Sequence, residues 1–423
     1  MNKKIISKRI IKFLDKNKLL VHNQYGFRKH YSTELAVTEV HNKLLKNLEN
    51  KKHTCAVFLD LAKAFDSVDH TILIQKVEKY GIRGNALELI KSYLTDRLHF
   101  VKSGNVTSSM RTLGIGVPQG SVLGPLLFLI FINDLPNCTN FAVTLFADDT
   151  FLSLESDDIA QLQRDASREI KKVHHWLTLN KLTLNIDKSK FMIITNKKNI
   201  RKDDFQLKLN GCKIERCTSY KYLGIYFDEN LKWDTHIQNI CGKIGRVCGF
   251  LSKLRYCADK SVLKEVYYAL VYSHLKYCNM TWGGADENIL KPLLTIQNKI
   301  IRIMSFAPFV SRNTSLLYSE LDLLKFKQIN MLEKGKFMYK LTNDKLPENF
   351  MNLIDMANLP QRQNMRSTAA GNLKEINVRT DFGRKMIGYT GVKIWNAIPT
   401  EIRNSTSLKV FSKNLKAHIK NTS

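Results

Sequence analysis

An α+β fold is predicted by three features of the chain. Apolar, β-branched runs lie in the first 230 residues, helical periodicity takes over from about Leu231, and carboxylates close two of the apolar runs. The first run, Thr54 to Leu59, carries no formal charge and reads as a buried central strand ending at Asp60. The second, Phe141 to Phe146, is followed by Asp148 and Asp149, and Phe151 to Leu154 is apolar again. That order predicts a hairpin with its acidic pair at the bend.

Charge at the end of an apolar run is costly. A bare buried carboxylate costs several kcal/mol, on the order of 2–7 for a polar group alone and more for an ion, so three together call for a cation. Magnesium is a hard ion that takes carboxylate and phosphate oxygens, and two such ions about 3.5–4 Å apart suit phosphoryl transfer. In an extended segment Asp148 and Asp149 point to opposite faces, so only a turn or a shared ion recruits both. Asp60 and Asp148 are therefore expected as principal ligands, with Asp149 beside them. The competing reading is that Asp60 caps the next element and the Asp pair is an ordinary turn.

With 423 residues, 44% of them hydrophobic, the chain can build one large or two to three ordinary domains. Its 66 Lys and Arg against 38 Asp and Glu give a net charge of +28, which suits a polyanionic partner or, equally, a solvated basic surface. Eight cysteines show no Cys-x2-Cys pair, which argues against a zinc knuckle or a disulfide framework and for a reduced, intracellular setting, nucleus or cytoplasm. Cys241, Cys248 and Cys257 are spaced for helix-face packing. The basic start is no signal peptide, and the longest apolar run, Leu126 to Ile132, is far short of the roughly 20 residues of a membrane span. No membrane partner is expected.

In chain order, Ile6, Ile10, Phe13 and Leu14 fall at helical spacing with a basic opposite face. His22 to Thr33 reads as a loop, then a helix capped by Ser32 or Thr33 runs to about Leu48. Arg28, Lys29 and His30 either meet phosphate or face water. After Asp60, Ala64 to Val68 forms a turn, Asp69 caps a helix bearing Leu73, Val77 and Tyr80, and Gly81 ends it. A helix over Ala86 to Leu94 precedes a strand pair across Gly104-Asn105.

Gly114 to Phe128 (GIGVPQGSVLGPLLF) is the third informative stretch. Gly116 and Gly120 allow a ligand close to the backbone, Gln119 is placed to touch a base or sugar, and Pro125 suits the first turn of a helix over Leu126 to Leu135. A helix from Asp158 to Leu179 follows, with Trp176 as a packing residue. Lys181 to Ile186 and Phe191 to Thr195 are predicted as strands around a basic turn. Lys188 in that turn is either a surface lysine or a general acid for leaving pyrophosphate. Tyr222-Leu223-Gly224 lies between two short strands. Helices are expected over Trp233 to Leu254, Asp259 to Tyr277, Glu287 to Met304 and Leu323 to Leu341, with a boundary at Pro308 and Ser311 to Ser315. The polar stretch 343–385 reads as partly extended or loosely ordered, before a last packed unit of Gly391 to Pro399 and Phe411 to Ile419.

Asp60 with Phe65, then Pro118-Gln119-Gly120-Ser121, then Ala147-Asp148-Asp149 closely resemble, in that order, the reverse transcriptases of non-LTR (LINE-like) retrotransposons. The likeness runs from about Lys3 to Met304, and Tyr389 to Ile402 is similar to the tail of their reading frames. It implies a right-hand polymerase fold with an antiparallel-sheet palm, partial fingers and a helical thumb. The expected divisions are 1–53 partial fingers, 54–230 palm with interspersed fingers elements, 231–305 thumb and 306–423 a C-terminal helical and irregular region. The reverse transcriptase domain as a whole would cover about 1–230.

The resemblance implies Asp60, Asp148 and Asp149 around two Mg2+ ions, and Lys188 as the lysine of the fourth palm motif. Phe65 would be the bulky residue that excludes a ribose 2′-hydroxyl. Gln119 and Gly120 would contact template and incoming nucleotide, Arg28 is the surviving basic position of the fingers, and Tyr222, Leu223 and Gly224 match the primer grip. RNA template, DNA primer and dNTPs are the implied partners. The family also has fingers sequence ahead of the equivalent of Lys3, so an N-terminally truncated chain is expected. An inactive nucleic-acid-binding remnant, or a relic without a stable fold, is the alternative to an active polymerase; Phe65 and the Ala-Asp-Asp context argue against an RNA-dependent RNA polymerase.

Overall fold

A computed structural model describes residues 3–95, 97–197, 199–209, 211–307, 313–351 and 372–422. Of the sequence expectations, the Pro308 boundary and residues 352–371 of the polar stretch lie outside them. The chain divides into two compact units, one of Met1–Ala36 with Lys52–Cys217, the other of Val37–Lys51 with Thr218–Ser423.

The first unit is built on a six-stranded sheet. Its strands run, in spatial order, Ala142–Phe146, Asp149–Ser156, His53–Leu59, Lys190–Ile194, Cys212–Arg216 and Leu207–Leu209. All seven residues of His53–Leu59 are buried, as an unbroken apolar run between two neighbours requires. The sheet is antiparallel except where Cys212–Arg216 lies parallel to Lys190–Ile194, a mixed arrangement that the sequence did not suggest. Helix Ile159–Leu179 packs on it through Leu162, Ala166, Ile170, Val173, Trp176 and Leu177. Trp176 is a packing residue, 8% exposed.

The helix expected over Leu126 to Leu135 is shifted. It covers Gly124–Ile132 and gives way to a 3-10 turn at Leu135–Cys138, with Pro125 in its first turn where a missing N–H costs nothing. Nearly all of it is buried, so no polar face marks its ends. Lys181 to Ile186 is not a strand. It makes one isolated bridge, Leu61 to Leu184, because its backbone braces the turn after Asp60: Ala62 N–H donates to Thr183 O at 2.8 Å and Asn185 N–H to Asp60 O at 2.8 Å. Asp69 caps His70–Lys79 by accepting from Ile72 N–H, and Lys102–Ser103 pairs with Val106–Thr107 around Gly104.

Among the described residues, the regular structure of the second unit is helical apart from one hairpin, Ser219–Tyr222 with Ile225–Asp228. Its longer helices are Asp234–Leu254, Glu287–Met304, Phe326–Thr342, Ile387–Ala397 and Leu408–Asn421. The helix expected over Asp259 to Tyr277 begins at Lys260 and passes through a π turn at Tyr268–Tyr272 before ending at Lys276. Trp233, Trp282, Tyr267, Phe326 and Tyr339 are buried in this unit. All eight cysteines are free. Cys55, Cys248 and Cys278 are buried, while Cys212 and Cys257 are exposed, so Cys257 takes no part in helix-face packing. Among the described residues no helix is long and apolar enough to cross a membrane.

Candidate active site

Strand register brings the three carboxylates to one end of the sheet. Leu59 pairs with Thr150 and Phe146 with Asp149, so Asp60, one residue past its strand, reaches the hairpin bend formed by Ala147 and Asp148. Asp149 keeps an exposed surface, yet its carboxyl is pushed up to about 6. Loss of water around the carboxyl comes first, then the negative charges of Asp148 and Asp60. The donor set is therefore three oxygen-bearing anions that repel one another. Among the described residues no group of three or more His, Cys, Asp or Glu side chains is already arranged to hold a metal ion.

The bend itself is unusual. Ala147 has φ +55°, and Asp148 is not in the left-handed region. A two-residue hairpin of that kind usually places glycine first, because a Cβ disfavours positive φ. Gln24, 1% exposed, holds the bend: its Oε1 accepts from Ala147 N–H at 3.0 Å and from Gly26 N–H at 2.7 Å. Residues 23–25 run alongside the hairpin strand, with Tyr25 N–H donating to Leu145 O at 2.7 Å and Leu145 N–H to Asn23 O at 2.8 Å.

Lys188 is exposed in the turn after the lone Leu184 bridge, its N–H donating to Asn185 Oδ1 at 3.3 Å. The same turn is tied to Asp60, whose N–H donates to Ser189 Oγ at 3.2 Å while Ser189 Oγ donates to Asn185 O at 2.7 Å. Phe65 is partly buried and stacks on Phe128 at 4.3 Å between ring centroids, with Phe27 edge-on at 6.3 Å. Its backbone meets the glycine loop: Val117 N–H donates to Phe65 O at 2.8 Å and Gly116 N–H to Val68 O at 2.7 Å. A Cβ on Gly116 would lie 2.8 Å from Asp66 O, so that approach requires glycine. Gln119 Nε2 donates to Asp66 Oδ1 at 2.9 Å, and Gly120 has φ +73° with open space where a side chain would stand.

Arg28 is turned to its own loop. Its Nη1 donates to Val21 O at 2.5 Å and Gln24 O at 3.3 Å, and the guanidinium lies 4.2 Å from the Tyr31 ring centroid. Tyr222, Leu223 and Gly224 belong to the second unit. There Leu223 (φ +45°) and Gly224 (φ +82°) form the hairpin turn, and Tyr277 Oη donates to Leu223 O at 2.8 Å.

Residues 1–227 match the family described as reverse transcriptase (RNA-dependent DNA polymerase). The chain belongs to that family. Among curated reverse transcriptases, it is 29% identical over 333 residues to the probable RNA-directed DNA polymerase from transposon BS of Drosophila melanogaster. That alignment covers 74% of this chain and 36% of the relative. The RNA-directed DNA polymerase from mobile element jockey of the same fly is 28% identical over 324 residues, 74% of this chain and 35% of that one. The chain thus spans about a third of the length of these relatives. Apo telomerase from Candida tropicalis aligns with 83% of this chain and 59% of its own at 10% identity and a TM-score of 0.40, too distant to add to the assignment.

In this family member the sequence motifs pointed to Asp60, Asp148, Asp149 and the Gln119 loop as site candidates, but not to Gln24. A glutamine two residues after a histidine in a polar loop has no signature of its own. The nearest hint was Gly26, whose need for glycine is explained by a Cβ that would stand 2.5 Å from Ala147 N.

Proposed function

We propose that the chain carries the catalytic core of an RNA-directed DNA polymerase that extends a DNA primer on an RNA template. The observation that carries this reading is the convergence of Asp60, Asp148 and Asp149 at one sheet end with a carboxyl pushed up to about 6. Such a donor set fits hard divalent cations: it offers only carboxylate oxygens, and their mutual repulsion is what a bound cation relieves. The proposed ligands of two Mg2+ ions are these three residues, and the ions would supply the positive charge that stabilises the attacking and leaving oxygens.

The primer 3′-oxygen attacks the α-phosphorus of a deoxynucleoside triphosphate, the bond to the β-phosphate oxygen breaks, and pyrophosphate leaves. The hydroxyl proton passes to solvent, and Lys188 gives a proton to the pyrophosphate. In this reading Phe65 blocks a ribose 2′-hydroxyl, Gln119 and Gly120 line the nucleotide, and Arg28, turned to Val21 O and Gln24 O, steadies the loop rather than meeting the triphosphate. The palm would be the sheet of the first unit, the partial fingers the N-terminal residues, and the thumb the helices after Leu231, with Tyr222 to Gly224 at the primer end. Template–primer affinity should fall steeply with salt, as the +28 charge implies; salt-insensitive binding would count against it. Phe65→Ala should admit ribonucleotides, read as a fall in the dNTP-over-rNTP ratio of kcat/KM.

The deciding experiment is primer extension on an RNA template with magnesium and dNTPs, beside the double variant Asp148→Asn/Asp149→Asn. The expected loss is on the order of 10³-fold. Equal extension by both proteins would discard the carboxylate assignment. A second reading, a binding remnant without catalysis, is favoured by the lack of a preformed metal group among the described residues. It predicts no extension by either protein with retained duplex binding.

A further inference from the structure

We propose that Gln24 is a positioning residue for the acidic bend, a role that rests on the active-site reading above. The bend must turn the chain so that Asp148 and Asp149, which would point to opposite faces of a straight strand, both serve one site. It does so with an alanine at φ +55°, a conformation that persists only where the surroundings over-determine it. Gln24 is the side chain that hydrogen-bonds it. One amide oxygen accepts from Ala147 N–H and from Gly26 N–H, so a single buried atom joins the bend to the loop that runs beside it.

Three further observations make this a built joint. Gln24 is 1% exposed, and its Nε2 is buried without a hydrogen-bond partner, so the side chain is held for its oxygen at the expense of its nitrogen. Gly26 leaves no room for adjustment, since a Cβ there would meet Ala147 N at 2.5 Å and Ala147 Cα at 3.1 Å. The loop is also anchored from behind: Asn133 Oδ1 accepts from Val21 N–H at 2.9 Å, and Asn133 Nδ2 donates to Leu19 O at 2.8 Å. Gln24 therefore fixes where the two aspartates stand without touching substrate or cation.

The test uses the full chain with Gln24→Met, which keeps length and volume but removes the acceptor, and the same change combined with Ala147→Gly, which takes positive φ without strain. Three quantities are read: kcat and KM for single-nucleotide incorporation, Mn2+ affinity of the free protein by electron paramagnetic resonance, and the melting temperature. The expected result for Gln24→Met is a kcat lower by about tenfold to a hundredfold with KM little changed, the size of effect that a misplacement of about 1 Å produces. Mn2+ affinity should fall severalfold, and Ala147→Gly should restore part of both. Unchanged kcat and Mn2+ affinity would overturn the proposal, as would losses that follow the melting temperature alone and that Ala147→Gly does not recover. If no protein extends a primer, the Mn2+ affinities decide. Asp148→Asn/Asp149→Asn run in parallel separates the two levels: if it leaves extension and Mn2+ binding intact, the active-site reading fails and Gln24 falls with it; if it abolishes them while Gln24→Met does not, Gln24 fails alone.

Discussion

Two carboxylates of the first unit, Glu169 and Asp149, are opposites. The Glu169 side chain is 1% exposed, yet its pKa lies low, at about 2. Burial alone would raise it. The Asn140 N–H at 2.8 Å, Lys172 Nζ at 2.8 Å, Thr139 Oγ1 at 3.1 Å and Arg168 Nε at 3.4 Å more than compensate. Asp149 keeps more exposed surface, yet loss of water around its carboxyl, and after it the charges of Asp148 and Asp60, push its pKa up to about 6 with no donor to offset them. Desolvation raises both carboxyls, so it does not by itself separate them. What separates them is that the protein surrounds Glu169 with donors and leaves Asp149 beside two further carboxylates.

Three changes sharpen or break that contrast. Glu169→Ala should have the largest effect, a loss of about 1–3 kcal/mol of stability at neutral pH, because Asn140 N–H and Thr139 are left with no acceptor. Denaturant titration reads it, and a neutral result would remove the structural role. For the unaltered protein, the depressed pKa means that the Glu169 contribution is complete above about pH 4.5 and lost as pH falls towards 2. Asp149→Asn should act in the other direction. A folded pKa raised from 3.8 to about 6 favours the protonated carboxyl, so its penalty is absent below pH 3.8 and grows as pH rises through 6. In chelator, the variant should melt higher than the parent above pH 6, by about 1 kcal/mol after allowance for solvent screening, and equal it near pH 4. A variant that is no more stable at pH 7 would show that neither lost hydration nor neighbouring charge penalises the ionised Asp149. Thr139→Val comes last, about 0.5–1.5 kcal/mol, since Glu169 keeps its other donors; a cost as large as that of Glu169→Ala would mean the threonine acts elsewhere.

Periodicity and local chemistry revealed much of this. The charge-free run before Asp60 could only be a buried strand, the Asp69 cap announced its helix, and the hairpin around Asp148 followed from the apolar runs on either side. Lys181 to Ile186 misled because Leu182, Leu184 and Ile186 alternate as in a strand while the backbone serves the Asp60 turn. The Gly124–Ile132 helix was misplaced because apolar residues all round leave no face to read. Gln24 was not legible at all, since its meaning lies in contact with residue 147, more than a hundred positions away. The Glu169 network was hidden for the same reason: Thr139 and Asn140 come from another element.

The distribution of thiols has a practical consequence. Cys212 and Cys257 are exposed and lie one in each unit, while Cys55, Cys248 and Cys278 are buried and burial raises the half-buried thiols of Cys138 and Cys241. Brief treatment with a maleimide dye should label the exposed pair first. Each label would then report on the opening of its own unit, the sheet unit through Cys212 and the helical unit through Cys257.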